Sequence, residues 1–133
     1  MYLIIVGAGR VTKQLVSVAK EKGHKVAVIE KEAERARKIM QDFDISIFHA
    51  DITKGKILEE AGVNNADAVI ATTKDDSINL MAMILAKQYG VKNLITLLQE
   101  DNHQALFEKL GIQVLSDPEK LIARQLYSFI DLE

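Results

Sequence analysis

The sequence predicts an α/β fold, a doubly wound sheet of about six parallel strands with helices on both faces. Three observations predict it. Apolar runs of strand length alternate with helix-period stretches from end to end. Most of these runs are nearly continuous in Val, Ile and Leu, as strands covered on both faces must be. Gly23, Gly62, Gly90 and Gly111 each follow a helical pattern and precede a new strand. That is the C′ position, where left-handed backbone favours glycine.

The elements follow in order. Tyr2–Val6 reads as the first strand, and Gly7 and Gly9 separate it from a helix over Val11–Lys22. Lys25–Ile29 is the second strand. In the helix expected over Glu32–Asp42, Ala36, Ile39, Met40 and Phe43 recur at helical spacing. Ile45–Phe48 is a third strand, followed by a helix over Lys54–Ala61 that contains Gly55, a glycine the pattern leaves without a role. Ala68–Ala71 and Leu94–Leu98 flank a helix over Asp76–Tyr89. His103–Leu110 and Gln113–Leu115 complete the alternation, and a last helix runs from Pro118 to about Ile130. Asp117 supplies its N-cap and Pro118 its first turn. There is no internal repeat and no Pro-rich linker, so residues 1–133 read as a single domain.

Composition narrows the function. The 133 residues carry 17 Lys+Arg against 19 Asp+Glu, a net charge of −2, which removes the basic surplus of a general nucleic-acid binder. The absence of cysteine excludes disulfides, thiolate metal sites and a Cys nucleophile. His24, His49 and His103 are scattered, with no grouped carboxylates at ligand spacing, so no metal site is expected. No apolar run reaches the roughly 20 residues of a membrane span. The start, Met1 to Val6, lacks the basic region of a signal peptide, and the chain reads as cytoplasmic.

The chemistry concentrates at the ends of the strands. Gly7-Ala8-Gly9-Arg10-Val11-Thr12 follows the first strand and opens the first helix. Gly7 permits the tight turn, and Gly9 lets backbone N–H groups approach a pyrophosphate at the positive end of the helix. Thr12 stands where the dinucleotide fingerprint has its third glycine, a position that governs helix–strand packing. Arg10 is a solvated loop residue or a phosphate contact. Glu30 ends the second strand, 21 residues past Gly9, where a carboxylate can accept from a ribose 2′-hydroxyl. Lys31 beside it dilutes the repulsion of a 2′-phosphate. Asp51 follows the third strand, and Thr72-Thr73 follow the fourth. In a doubly wound sheet these ends rim the ligand crevice, and the same residues serve equally as helix caps.

Read together, Gly7 to Val11, Glu30, Asp51-Ile52-Thr53 and the stretch Ala66-Asp67-Ala68-Val69-Ile70-Ala71-Thr72-Thr73-Lys74-Asp75-Asp76 resemble a known family. It is the RCK or KTN nucleotide-binding domain of Trk- and Ktr-type potassium uptake systems. The most specific parts are Leu58 to Val63 leading into Ala66 to Ala71, and Asp75-Asp76 followed by Asn79-Leu80. The resemblance implies a Rossmann-like fold that binds NAD or NADH, or ADP or ATP, as an effector and not as a redox reagent. It implies that Gly7, Ala8, Gly9, Arg10 and Val11 cradle the phosphates and that Glu30 holds the adenosine ribose. Asp51 and Ile52 would flank the adenine, and Thr72 and Thr73 would line the nicotinamide or terminal-phosphate side. The family often has an arginine on the fifth strand reaching the phosphates; Leu97 stands there. Many members continue into a second, ligand-sensing domain.

Partner surfaces complete the expectation. The helix over Asp76–Tyr89 carries Ile78, Leu80, Met81, Met83, Ile84 and Leu85, more than one stripe. The last helix carries Leu121, Ile122, Leu126, Phe129 and Ile130. Part of this is ordinary core and the remainder suggests a homodimer interface; the resemblance implies the same use of the last helix, and a higher ring beyond the dimer is left open. The function expected is a cytoplasmic regulatory subunit or domain at the inner face of the membrane, acting through a potassium transporter or channel without inserting in the bilayer. The alternatives are a small NAD-dependent oxidoreductase and a dimerisation module with a vacant Rossmann pocket. No Ser/His/Asp, Cys/His or Tyr/Lys constellation is evident, so no enzyme is expected.

Overall fold

The computed structural model describes residues 1–131; the terminal pair Leu132-Glu133 lies outside the described residues. Six strands form one parallel sheet: β1 (Tyr2–Val6), β2 (Lys25–Glu30), β3 (Ser46–His49), β4 (Ala68–Ala71), β5 (Asn93–Leu98) and β6 (Gln113–Ser116). Their spatial order is β3-β2-β1-β4-β5-β6. The chain therefore winds outward from β1 to β3, returns to the centre at β4, and winds outward the other way. The reversal lies between β1 and β4, which pair in register from Leu3 with Ala68 to Val6 with Ala71.

The alternation of side chains along β1 divides the core. Ile4 and Val6 face one side, with Ile57, Leu58, Ala82, Met83, Ala86 and Phe107. Leu3 and Ile5 face the other, with Val16, Ala19 and Ile39. The second face is covered by α1 (Arg10–Glu21) and α2 (Ala33–Asp42), the first by α3 (Ile57–Glu60), α4 (Asp76–Gln88) and α5 (Gln104–Lys109). Full burial of one such aliphatic side chain is worth about 1.5–3 kcal/mol, so this two-sided covering is what holds the sheet. The edge strands β3 and β6 depart from the expected covering on both faces, since neither contains a buried residue.

The third helix is shorter than the sequence pattern predicts. Gly55 adopts a left-handed conformation with φ of +65°, which breaks the helix path before Ile57. After Glu60 the chain turns at Gly62 into a short 3-10 turn over Val63–Asn65. The last helix, α6 (Pro118–Ser128), begins at Asp117, whose carboxylate caps the Lys120 N–H, but contains no buried residue. Leu121, Ile122, Leu126, Tyr127, Phe129 and Ile130 at this end of the chain are all exposed.

Candidate functional site

The crevice forms where the β1 and β4 chains leave the sheet in opposite directions, the place where a doubly wound fold opens to a ligand. Gly7 is required by two constraints. Its φ is +111°, and a Cβ there would lie 2.8 Å from the Thr72 Oγ1. Gly9 is different. Its φ of −85° suits any residue, and a Cβ there would meet nothing within 4 Å. The fold does not need glycine at position 9; the open space above it fits a bulky anion approaching the backbone.

The amides ahead of α1 are arranged for that approach. The first intrahelical bond runs from Lys13 N–H to the Gly9 carbonyl, so the N–H groups of the preceding turn are left for water or a ligand. Their positive end of the helix dipole faces the same space. The side chains of Arg10 and Val11 are exposed. The Gly7 and Ala8 amides are occupied, Gly7 N–H by the Ile29 carbonyl at 2.9 Å and Ala8 N–H by Glu30 Oε1 at 2.8 Å.

Glu30 is a buried carboxylate, 6% exposed, that also accepts from Glu32 N–H at 2.9 Å through Oε2. It pins the glycine loop to the start of α2, and each oxygen keeps a lone pair for another donor. Asp51 lies beyond the end of β3, where its Oδ1 accepts from both the hydroxyl and the amide of Thr53, at 2.7 and 2.9 Å. These hydrogen bonds, the hydroxyl's first, hold the Asp51 carboxyl below the usual carboxylate range. Ile52 is 5% exposed and packs into the core, so of these two predicted positions Asp51 alone offers a polar side chain.

On the other side, Thr12, at the fingerprint's third-glycine position, is fully buried. Its hydroxyl donates to the Gly7 carbonyl at 2.6 Å and lies 2.7 Å from the Thr72 hydroxyl. A polar link thus replaces close glycine packing and ties the loop to β4. Thr73 is held by Asn79, a fully buried amide on α4 that sequence reasoning left without a role. Asn79 Oδ1 accepts from the Thr73 hydroxyl at 2.6 Å and amide at 3.2 Å; its Nδ2 donates to the carbonyls of Thr73 and Leu97, each at 3.0 Å. The signal was present: Asn79, Ala82, Met83 and Ala86 share the buried helical stripe, and a polar residue there needs partners. Of the predicted positions, hydrogen bonds join Gly7 and Thr72 through Thr12 and Ala8 to Glu30, while Thr73 is held separately by Asn79, Arg10 and Val11 are exposed, and the Asp51 side chain bonds only within its own turn. Among the described residues no cluster of metal-ligating side chains occurs, and no helix is long and apolar enough to cross a membrane.

The TrkA-N domain model matches residues 3–118. The chain belongs to the TrkA-N domain family. A relative from Methanothermobacter thermautotrophicus, named as a Trk system potassium uptake protein TrkA homolog, is 33% identical over 130 residues. The match covers 98% of this chain but 60% of that relative, so the chain spans about three fifths of its length. Among solved structures, the TrkA-N domain of inner membrane protein ybaL from Escherichia coli superposes with a TM-score of 0.85 at 20% identity, covering 98% of this chain and 96% of that one. The GsuK channel bound to NAD superposes with a TM-score of 0.76 at 19% identity, over 86% of this chain and 21% of that one. A GsuK structure bound to ADP has a TM-score of 0.77, at 19% identity over 86% of this chain and 31% of that one. At these identities the solved structures establish the likeness of fold alone.

Proposed function

We propose that this TrkA-N domain is a nucleotide-sensing regulatory module of a potassium uptake system or channel, with NAD, NADH, ADP or ATP as effector. The observation that carries the reading is the cradle at Gly9, a glycine that the fold does not need, facing unpaired helix amides at the reversal of the sheet. The phosphates sit over Gly9 to Val11, the adenosine ribose against Glu30, the adenine beside Asp51 and Ile52, and the distal part of the nucleotide at Thr72 and Thr73. The relative named as a potassium uptake protein, and the GsuK channel structures bound to NAD and ADP, support the same assignment.

The nucleotide acts as an effector in this reading and undergoes no turnover. It shifts a two-state assembly by its differential affinity for the two states, typically about 1–3 kcal/mol of coupling. The assembly is a homodimer, or a larger ring built from it, formed through the exposed apolar side chains of α6 and of Met81 and Ile84 on α4. It works on the cytoplasmic side of the membrane, through a transporter or channel subunit.

Isothermal titration with NAD, NADH, AMP, ADP and ATP tests the site, alongside an assay for NADH oxidation. Saturable binding that is lost in Gly9→Val, with no turnover, is expected. Binding unchanged in a folded Gly9→Val protein would remove the phosphate site, and steady NADH oxidation would replace the effector role with an oxidoreductase.

A further inference from the structure

We infer that the cavity between α5, the end of β6 and α6 is a second binding site, built for a small zwitterion of the α-amino acid class. It shares no residue with the nucleotide crevice, and the inference does not rest on the nucleotide reading.

The cavity has a volume of about 210 Å³. At about 30 Å³ per water molecule it holds about seven waters, which is room for a short amino acid and too little for a nucleotide. Asp101, Gln104, Ser116 and Asp117 line it from the body of the domain, and Lys120 and Arg124 from α6. No buried side chain anchors α6, so one wall of the cavity is a helix held mainly by its polar contacts.

The charges on the two walls are only partly matched. Lys120 Nζ lies 4.0 Å from Asp101 Oδ2, with the two side chains 49% and 59% exposed. Such a surface pair contributes little and opens readily. Arg124, one turn further along the same helix face, forms no ion pair among the described residues. Asp117 Oδ1 accepts from the Lys120 N–H at 3.2 Å, and among the described residues its Oδ2 has no hydrogen-bond partner. One guanidinium and one carboxylate oxygen are left over.

The uncharged pair beside them has a fixed polarity. The Ser116 hydroxyl donates to Gln104 Oε1 at 2.6 Å, and Gln104 Nε2 donates to Glu108 Oε1 at 2.7 Å. The amide orientation is settled, because the Glu108 carboxylate only accepts. Ser116 therefore offers lone pairs to the cavity, and Gln104 keeps a second N–H.

A ligand of a single charge meets its own sign here: an anion meets Asp101 and Asp117, a cation meets Lys120 and Arg124. A zwitterion answers both. Its carboxylate matches the fork of the Arg124 guanidinium and the spare Gln104 N–H. Its ammonium has acceptors in Asp117 Oδ2 and the Ser116 hydroxyl. A ligand so held bridges α6 and the body of the domain.

Titration of the protein at 0.15 M salt, followed by backbone amide NMR, tests the site with glycine, L-alanine and L-serine against N-acetylglycine and glycinamide. Each of the last two lacks one of the two charges. The amino acids are expected to saturate the site and to bind at least about tenfold tighter than either blocked compound. The shifted amides should fall in residues 101–104 and 116–124. Arg124→Gln, at an exposed position, should weaken binding about tenfold or more. Asp117→Asn should do the same while keeping the helix cap and the left-handed backbone, which asparagine tolerates. N-acetylglycine or glycinamide binding as tightly as glycine would overturn the zwitterion assignment. Unchanged affinity in Arg124→Gln, shifts confined to other parts of the chain, or no saturation by any amino acid up to about 10 mM would overturn the site.

Discussion

Replacing Glu30 by alanine removes the pin between the glycine loop and α2. The side chain is 6% exposed and accepts two backbone N–H groups, from Ala8 at 2.8 Å and from Glu32 at 2.9 Å. A hydrogen bond to a charged group contributes about 1.5–3 kcal/mol. The two sites differ in what replaces it. The Ala8 amide is buried and loses its acceptor outright, whereas the Glu32 amide is only partly buried and regains one from water. The expected loss is therefore about 2–4 kcal/mol, a large part of the 5–15 kcal/mol of a typical domain. Urea unfolding of the nucleotide-free protein measures it directly. The same substitution should weaken nucleotide binding beyond the loss of one ribose contact, because the loop carrying the phosphate amides is no longer anchored. A Glu30→Ala protein within about 0.5 kcal/mol of wild type would refute the anchoring argument, since no buried amide could then have lost its partner.

Four further outcomes are expected. Gly7→Ala should destabilise the protein by about 1–3 kcal/mol in thermal or urea unfolding, because the new Cβ meets the Thr72 hydroxyl at 2.8 Å with φ at +111°. Gly9→Ala should change stability by less than about 0.5 kcal/mol, as its backbone is unstrained and its Cβ meets nothing, yet lower nucleotide affinity in titration. Thr53→Ala should raise the Asp51 pKa toward the ordinary value of about 3.9, followed by carboxyl NMR titration. Because the folded-state pKa of Asp51 is depressed, its contribution to stability is present above the unfolded value and lost as pH falls through the folded one, and this acid dependence should diminish in the variant. Sedimentation at micromolar concentration should give twice the monomer mass, and Leu126→Asp with Phe129→Asp, both on exposed positions, should return it to monomer.

The positions and parallel direction of the strands were legible, though not their spatial order, because a strand covered on both faces leaves a continuous apolar run, and β1, β2 and β4 are of that kind. The glycine ends of four helices were legible for an equally local reason: Gly23, Gly62, Gly90 and Gly111 all have φ near +80°. Gly55 was visible but uninterpreted, since a left-handed glycine inside a helical pattern looks the same as a tolerated one until the path of the chain is known. At the site, the strand ends and spacing located Glu30, Thr72 and Thr73. The partners of Glu30 and Thr72 were not legible, because Ala8 and Thr12 reach them across 22 and 60 residues of sequence, whereas Asn79, 6 residues past Thr73, left a signal in its helical stripe. Thr12 shows the difference most clearly. As a letter it is a departure from a glycine fingerprint; in space its hydroxyl joins β4 to the glycine loop.

That joining bears on how binding would reach an interface. A short covalent path runs from Thr73 to Asp76 at the start of α4, and by itself it would let a ligand tilt only the first turn of that helix. The hydrogen bonds do not permit so local a response. Asn79 connects Thr73 to the Leu97 carbonyl of β5, and Asp76 Oδ1 accepts from Gln99 N–H at 2.9 Å just past that strand. The start of α4 is thus fastened to the end of β5 at two points, and movement at Thr73 carries both together. Beyond β5 and β6 the connection is carried by Asp117, whose amide donates to the Leu98 carbonyl at 2.8 Å and whose side chain opens α6. The crevice rim at Thr73, the exposed face of α4 and the exposed α6 therefore attach to the same end of β5. A change in the crevice would be transmitted as a displacement of that end of the sheet, with both apolar surfaces moving in concert, not as the bending of one helix.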